Sequence, residues 1–351
     1  MSISAVDAGR QRLHARRVTR LRPRIMVLVL LFAMGCSERP QHGTLKGGPT
    51  VPPPLEPNAD NTLTAADLPP NTEHLRLGVT PYLGQALMDA SWKPIAAYFS
   101  DQLGIPVQFV SATSYKDLIQ LVVKGEVDIA SLSPLSYVLA RQETEKLTMV
   151  AHELANGATS FSSYIMVKTD DQTTSIYDLV GRRIAFVDPR STSGFLFAYA
   201  ALLDHGIDPE TQFKEVVFSG SHMESIKLLS SGRVDAAAIG SGMLSSVNRD
   251  PNKAPTLDTA SIRILIKAGR IPFDPLCVKA NIPATGVDKI KNVVLSLNTR
   301  TSLGRQILST SPEISGWVAA KDSQYDNVRH VLKRVSAHRR ASKAKQGGPA
   351  P

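Results

Sequence analysis

Seven residues near the middle of this chain have the types and spacing to hold an anion: Asp188-Pro-Arg-Ser-Thr-Ser-Gly194. They follow a strand-like run, Arg183–Val187, and open a helix-like run, Ser193–His205. The first amides of a helix have no intrahelical acceptor and lie at the positive end of its dipole. Three consecutive hydroxyl residues add donors at the same place, so a negative group can be held without a full counter-charge. A serine before a helix is most often a simple N-cap. A cap needs one hydroxyl, however, and here there are three, followed by Gly194.

The elements that position this segment alternate in type. Leu75–Val79, Val107–Val110 and Val127–Leu132 read as strands, and Trp92–Leu103 and Ser114–Val123 as helices closed by Gly104 and Gly125. The order then repeats: strands Arg183–Val187, Phe213–Phe218 and Val234–Ile239 alternate with helices Ser193–His205 and His222–Leu229. Such alternation predicts parallel sheets covered by helices on both faces. Lys124-Gly-Glu-Val-Asp-Ile-Ala130 and Ser231-Gly-Arg-Val-Asp-Ala-Ala237 echo one another and suggest two lobes of like construction. Ser163–Lys168 and Ile262–Ala268 read as two crossings between the lobes, a two-strand hinge of the kind that closes around a ligand. Helices are expected in the return segment over Val287–Leu297, Ser302–Leu308 and about Tyr325–Leu332.

Ligands of open parallel sheets bind beyond the carboxyl ends of the strands. The turns to read are therefore Thr80-Pro-Tyr82, Ser131–Tyr137, Asp188–Gly194, Ser219–His222 and Gly240-Ser-Gly242. They are rich in hydroxyls and glycines, hold one histidine and few cations, and contain no paired carboxylates. No cofactor and no metal are expected.

The net charge of +9 belongs to the ends. Residues 1–35 carry seven Arg and one Asp, residues 333–351 carry six Lys or Arg and no acid, and everything between has a balance of −3. The high pI therefore says nothing of a nucleic-acid surface on the core, and no nucleic-acid partner is expected. The apolar run Ile25–Met34, preceded by arginines and ending at Gly35-Cys36, has the length of a signal-peptide core and not of an ordinary membrane span. It resembles a bacterial lipobox, although Ala33 and Met34 depart from the usual pattern, and Cys36 is the expected lipidation site. A secretory signal cut near Gly35, or a short membrane anchor, is the alternative. Residues 36–73, with Pro52-Pro-Pro54 and Pro69-Pro70, read as a flexible tether, and 333–351 as a basic disordered tail. The expected organisation is a signal over 1–35, the tether over 36–73, lobe I over 74–162, lobe II with hinge strands over 163–262, and a return to lobe I over 263–332. Cys277, in the apolar stretch Pro275–Val278, reads as a small core residue.

Asp188–Gly194 resembles the D-P-x-S-T-S-G signature of the phosphonate-, phosphite- and phosphate-binding proteins of ABC importers, the PhnD-like family. Gly125–Ala130 before a Ser-Pro turn, Gly220-Ser-His222 after a strand, and Ile271-Pro-Phe-Asp-Pro275 occur in the same order as in that family, over about Leu75–Leu332. The resemblance implies a type II periplasmic binding protein fold, with two α/β lobes, each a mostly parallel sheet flanked by helices, and an oxyanion held between them. It implies that Ser191, Thr192 and Ser193 grip the oxyanion from lobe II and that His222 donates to it. Tyr82, Ser133 and Tyr137 would approach from lobe I. Asp274 would accept a proton from a singly protonated ligand. The implied partners are an ABC permease and, through Cys36, a membrane; the expected protein is a periplasmic or extracytoplasmic monomer. Some aminophosphonate binders carry a carboxylate after the second-lobe strand, where this chain has Gly240-Ser-Gly242-Met243, so a ligand without an amine, or a different pocket arrangement, is expected.

Two other functions use the same residues. A receptor feeding a membrane sensor kinase would bind its ligand with the same physics. Ser191, His222 and Asp274 can be drawn as a hydrolase triad, but the chain has no G-x-S-x-G elbow.

Overall fold

The computed structural model describes residues 60–243, 259–311 and 313–345. The signal run, Cys36 and most of the expected tether lie outside the described residues. The chain begins with β1 (Leu75–Val79), α1 (Gln85–Leu103), β2 (Val107–Ser111), α2 (Tyr115–Lys124), β3 (Ile129–Ser131), α3 (Pro134–Glu143) and β4 (Leu147–Leu154). It continues through β5 (Ser160–Lys168) and β6 (Arg183–Phe186), then a π-helical turn (Thr192–Leu196) running into α4 (Phe197–Asp204). After these come β7 (Glu215–Phe218), α5 (His222–Ser230), β8 (Ala236–Gly240) and β9 (Ile262–Pro272). The chain finishes with β10 (Pro275–Lys279), α6 (Ala284–Ser296), α7 (Ser302–Ile307), β11 (Gly316–Val318) and α8 (Asp326–Lys345).

Two sheets result, in the orders β11-β4-β10-β3-β1-β2 and β7-β6-β8-β5-β9. The expected α/β alternation makes the parallel part of each, β2-β1-β3 in lobe I and β7-β6-β8 in lobe II. Antiparallel strands extend both sheets towards the crossings. The local signals act as their chemistry requires. Ser114 caps α2 by accepting from the Asp117 amide at 3.1 Å. Gly125 closes the same helix at φ 72°, a left-handed conformation that glycine adopts without Cβ strain.

The two Gly-x-Val-Asp turns build the same clamp. Asp128 accepts from the Arg76 amide at 2.9 Å and from its Nε at 3.0 Å, while Arg76 Nη2 reaches Gly125 O at 3.1 Å. In lobe II, Asp235 accepts from the Arg183 amide at 2.9 Å and its Nε at 3.0 Å, and Nη2 reaches Gly232 O at 3.0 Å. Each clamp ties the start of one parallel strand to the turn that enters its neighbour.

Three sequence expectations need correction. Ser163–Lys168 and Ile262–Ala268 lie within β5 and β9, which pair with one another from Ser160↔Pro272 to Lys168↔Ile262, so both strands belong to lobe II. The chain crosses between lobes at residues 155–159 and 273–274, where Phe273 N donates to Thr159 O at 3.2 Å and Glu153 N to Asp274 O at 3.0 Å. The end of the expected tether is folded onto lobe I. Leu63 N donates to Leu103 O at 2.8 Å, and Asp67 accepts from Lys289 Nζ at 2.8 Å. Finally, residues 333–345 are helical, not disordered. Val331 and Val335 are buried, and the basic residues that suggested a solvated tail meet acids of lobe II that lie far away in sequence.

Asp128→Ala and Asp235→Ala are each expected to lower unfolding free energy by about 1–3 kcal/mol, because each strands a backbone amide and a guanidinium. Chemical denaturation checks this; a loss confined to one variant would break the equivalence of the clamps.

Candidate functional site

A cavity of about 340 Å³ opens between the lobes. The Asp188–Gly194 segment forms one wall and is folded by its own side chains. Arg190 N donates to Asp188 Oδ1 at 2.7 Å, Ser191 N to Asp188 O at 2.8 Å, and Gly194 N to Ser191 Oγ at 3.0 Å. Ser191 is thus the cap. Gly194 is required by close approach, since a Cβ there would lie 2.3 Å from Val187 Cγ2. Thr192 and Ser193 are surplus to capping, line the cavity, and bring two first-turn amides for which the helix itself supplies no acceptor.

Among the other helices whose first residues line the cavity, α3 spends its first-turn amides inside the protein and α5 spends two of its first three there. At α3, Pro134 has no N–H, Leu135 N donates across the cleft to Thr192 Oγ1 at 2.8 Å, and Ser136 N donates to Ser133 Oγ at 3.3 Å. At α5, His222 N donates across the cleft to Tyr82 O at 3.1 Å, and Glu224 N to Ser221 Oγ at 3.2 Å. The π-helical turn is therefore the donor pole of the cavity. Because Thr192 Oγ1 accepts from Leu135, its own proton is left to donate, and the acceptance polarises that O–H.

Seven of the eight sequence-selected residues line the cavity: Tyr82, Ser133, Ser191, Thr192, Ser193, His222 and Asp274. Tyr137 does not. It lies one helical turn beyond Ser133, is buried, and donates its hydroxyl to Asp322 at 2.5 Å, with its ring 5.3 Å from that of Tyr325. Tyr115 is an aromatic that the sequence reading overlooked. It is buried at the cavity wall and hydrogen-bonded to Ser191. Its signal was available, since Tyr115 follows the carboxyl end of β2, a strand end left out of the five turns.

His222 is buried, and burial pushes its imidazole down to about 3. Gly240 N donates to Nδ1 at 3.3 Å, which leaves the proton of the neutral ring on Nε2. This arrangement also argues against the triad. The nitrogen that a triad would hand to a carboxylate accepts instead from a backbone amide.

Three carboxyl groups line the cavity: Glu153, Asp274 and Glu313. Burial, followed by the charge of Glu313, pushes Glu153 up to about 8, even though Ser131 Oγ donates to it at 2.9 Å. Asp274 is raised well above the usual carboxylate range by burial and by its two acidic neighbours. No Lys or Arg side chain lines the cavity among the described residues. Near neutral pH its donors are therefore neutral: amides, hydroxyls, an imidazole N–H and protonated carboxyls. Glu153 escaped the sequence reading because β4 was not recognised as a strand, and Glu313 because the return segment carries no positional signal. The missing carboxylate in Gly240-Ser-Gly242-Met243 predicts a ligand without an amine or a different pocket arrangement. The pocket arrangement differs, because Glu313 supplies a carboxylate there from lobe I. A Cβ on Gly242 would lie 2.4 Å from Glu313 Oε1.

A family model described as the periplasmic substrate-binding protein of ABC phosphonate transporters matches residues 77–325. A phosphate-import protein, PhnD, of Mycolicibacterium smegmatis is 26% identical over 322 residues, 86% of this chain and 92% of the relative. Among solved structures, PhnD1 of Prochlorococcus marinus in complex with methylphosphonate superposes with a TM-score of 0.66 at 23% identity, covering 75% of this chain and 98% of that one. A binding component of an ABC phosphonate transporter from Pseudomonas aeruginosa gives 0.68 at 20%, covering 78% and 89%. Both likenesses establish the two-lobe fold of type II periplasmic binding proteins.

The shifted groups set opposing pH slopes. Between about 4.5 and 8 folded Glu153 holds a proton that the unfolded chain has lost, so stability falls as pH rises through that window. Between about 6.5 and 3 the unfolded chain protonates His222 and the folded chain does not, so stability falls as pH drops through that window. Melting temperature is expected to peak between these limits. Glu153→Gln should flatten the alkaline side and His222→Asn the acid side; thermal melts from pH 4 to 9 that leave both slopes intact would refute the assignment.

Proposed function

Because the chain belongs to the family of periplasmic substrate-binding proteins of ABC phosphonate transporters, we propose that it captures a small phosphorus oxyanion between its lobes for delivery to an ABC permease. The observation that carries this reading is the contrast between the Thr192–Leu196 turn and the N-termini of α3 and α5. The α3 terminus spends its amides inside the protein and α5 spends two of its first three, whereas Thr192 and Ser193 line the cavity with hydroxyls and with two first-turn amides for which the helix supplies no acceptor. On this reading Thr192, Ser193 and the His222 imidazole N–H hold the oxyanion. Ser191 and Tyr115 hold the turn in shape, and Tyr82 and Ser133 close the site from lobe I.

The cavity volume supports an organic substituent on the ligand, because the five heavy atoms of a bare tetrahedral oxyanion do not fill 340 Å³. The Phe161 and Phe273 rings, stacked at 5.1 Å, line the same space and supply apolar contact for such a group. Phosphonates therefore stand ahead of phosphate and phosphite as ligands. Protonated Asp274 and Glu153 can each donate to a phosphonate oxygen, and an ionised carboxylate can face a cationic substituent.

A calorimetric panel of phosphate, phosphite, methylphosphonate and 2-aminoethylphosphonate, with sulfate as control, tests the reading. A phosphonate is expected to bind most tightly, and no heat with any phosphorus compound would overturn the assignment. Thr192→Val is expected to weaken the best ligand by about 1–3 kcal/mol, roughly 5- to 150-fold, by removing a buried donor that is also an acceptor of Leu135 N. We also propose that Cys36 carries lipid. Expression of Cys36→Ser should move the protein from the membrane fraction to the soluble one, and an unchanged partition would rule the anchor out.

A further inference from the structure

We propose that α8 is a closing strap, a third tie between the lobes that holds the cavity shut and so sets its ligand affinity. The inference rests on the proposed function only for its affinity arm. Two short crossings join the lobes covalently, at 155–159 and 273–274. The foot of α8 is fastened to this hinge region and to lobe I. Tyr325 Oη donates to Phe273 O at 2.7 Å, within the second crossing, and Tyr137 of α3 donates to Asp322 at 2.5 Å. The helix then runs over α3 and reaches lobe II. Arg334 Nη1 meets Asp204 Oδ1 at 2.6 Å, Arg339 Nε meets Glu210 Oε1 at 2.7 Å, and His338 Nε2 lies 3.0 Å from Asp208 Oδ1. All three acids lie between the end of α4 and the start of β7.

One of these ties acts directly on the donor pole. The Arg339 guanidinium sits over the Phe195 ring, 5.4 Å from its centroid, and Phe195 belongs to the π-helical turn that carries Thr192 and Ser193. Arg334, His338, Arg339 and Ser342 share one face of α8, opposite no acid of their own helix. Their partners belong to the other lobe, so rotation about the crossings must stretch or break these contacts. Each pair is partly exposed, with side chains 24–53% accessible, and is individually weak. Weak ties in series suit a strap that biases an open–closed equilibrium without locking it. Apparent affinity scales with the fraction of molecules in the binding-competent state, so loosening the strap weakens binding without touching the cavity.

The test reads closure first and ligand second. On a Cys36→Ser background, spin labels are placed at the exposed positions Glu126→Cys of lobe I and Lys214→Cys of lobe II, and the inter-label distance distribution is measured without ligand. Arg334→Glu with Arg339→Glu is expected to lengthen and broaden the distribution while circular dichroism stays unchanged. Adding Asp204→Arg and Glu210→Arg should restore it. Methylphosphonate affinity is expected to fall about tenfold in the loosened variant and to recover in the restored one. Should charge reversal unfold the protein, Arg334→Gln with Arg339→Gln is measured in its place. An unchanged distance distribution in a folded variant overturns the strap, whatever the affinity does. Failure of methylphosphonate to bind the unaltered protein bears on the proposed function and leaves the distance arm standing.

Discussion

The contact between Leu135 N and Thr192 Oγ1, 2.8 Å long, spans the cleft and couples the two halves of the site. It consumes the amide that would otherwise be the free donor of α3. In the same step it occupies a lone pair of Thr192 and leaves that hydroxyl its proton. A donor of lobe I is thereby exchanged for a donor of lobe II, aimed at the same cavity. His222 N donates to Tyr82 O at 3.1 Å in a second contact across the cleft, which consumes a lobe II amide without releasing a donor. Closure and recognition are consequently one event, because the lobes must meet before the donors face the ligand. Were the lobes apart, the α3 terminus would present its amides to water and Thr192 would lose its polarising partner.

No Lys or Arg side chain lines the cavity among the described residues. An anion held by neutral donors is bound without burying a positive charge and without that charge's desolvation cost. Buried Glu153 and Asp274 fit this scheme only as protonated groups, and burial raises both towards that form, helped by Glu313 at Glu153 and by Glu153 and Glu313 at Asp274. A dianion arriving beside them would push them further towards the acid form. The acids then become two more donors to the ligand.

The donor pole was legible in the sequence because its chemistry is local. Asp188, Ser191 and Gly194 fold the segment upon itself within seven residues, and these bonds are implied by a strand end, a cap and a glycine, whereas the bond of Thr192 to Leu135 is not local. The Gly-x-Val-Asp repeat was legible as a pattern, but its cause, the guanidinium of Arg76 or Arg183, lies about 50 residues upstream. The acid pole was not legible. Glu153 lies near the end of β4, an antiparallel strand recognisable only once β10 lies beside it, and Glu313 reaches the cavity from the return segment, which carries no positional signal. Tyr137 shows the converse. Its position four residues after Ser133 suited the site, yet the foot of α8 claimed its hydroxyl. The C-terminal helix was hidden for the same reason, because its basic run looks solvated until lobe II supplies the acids.

The two lobes are thus alike in scaffold and unlike in chemistry. Each has a three-stranded parallel unit pinned by the same Arg–Asp clamp, and each sends a helix N-terminus into the cleft. The difference arises where the units are extended. In lobe II the strand end after β6 carries three hydroxyls and a π-helical turn, and all three hydroxyl residues line the cavity. In lobe I the antiparallel strands β4 and β10 bring Glu153 and Asp274 to the opposite wall. Symmetry of scaffold lets the lobes close face to face, and asymmetry of the added segments gives the closed cavity a donor end and an acid end. A ligand that has both an oxyanion and a substituent can then bind in one orientation only.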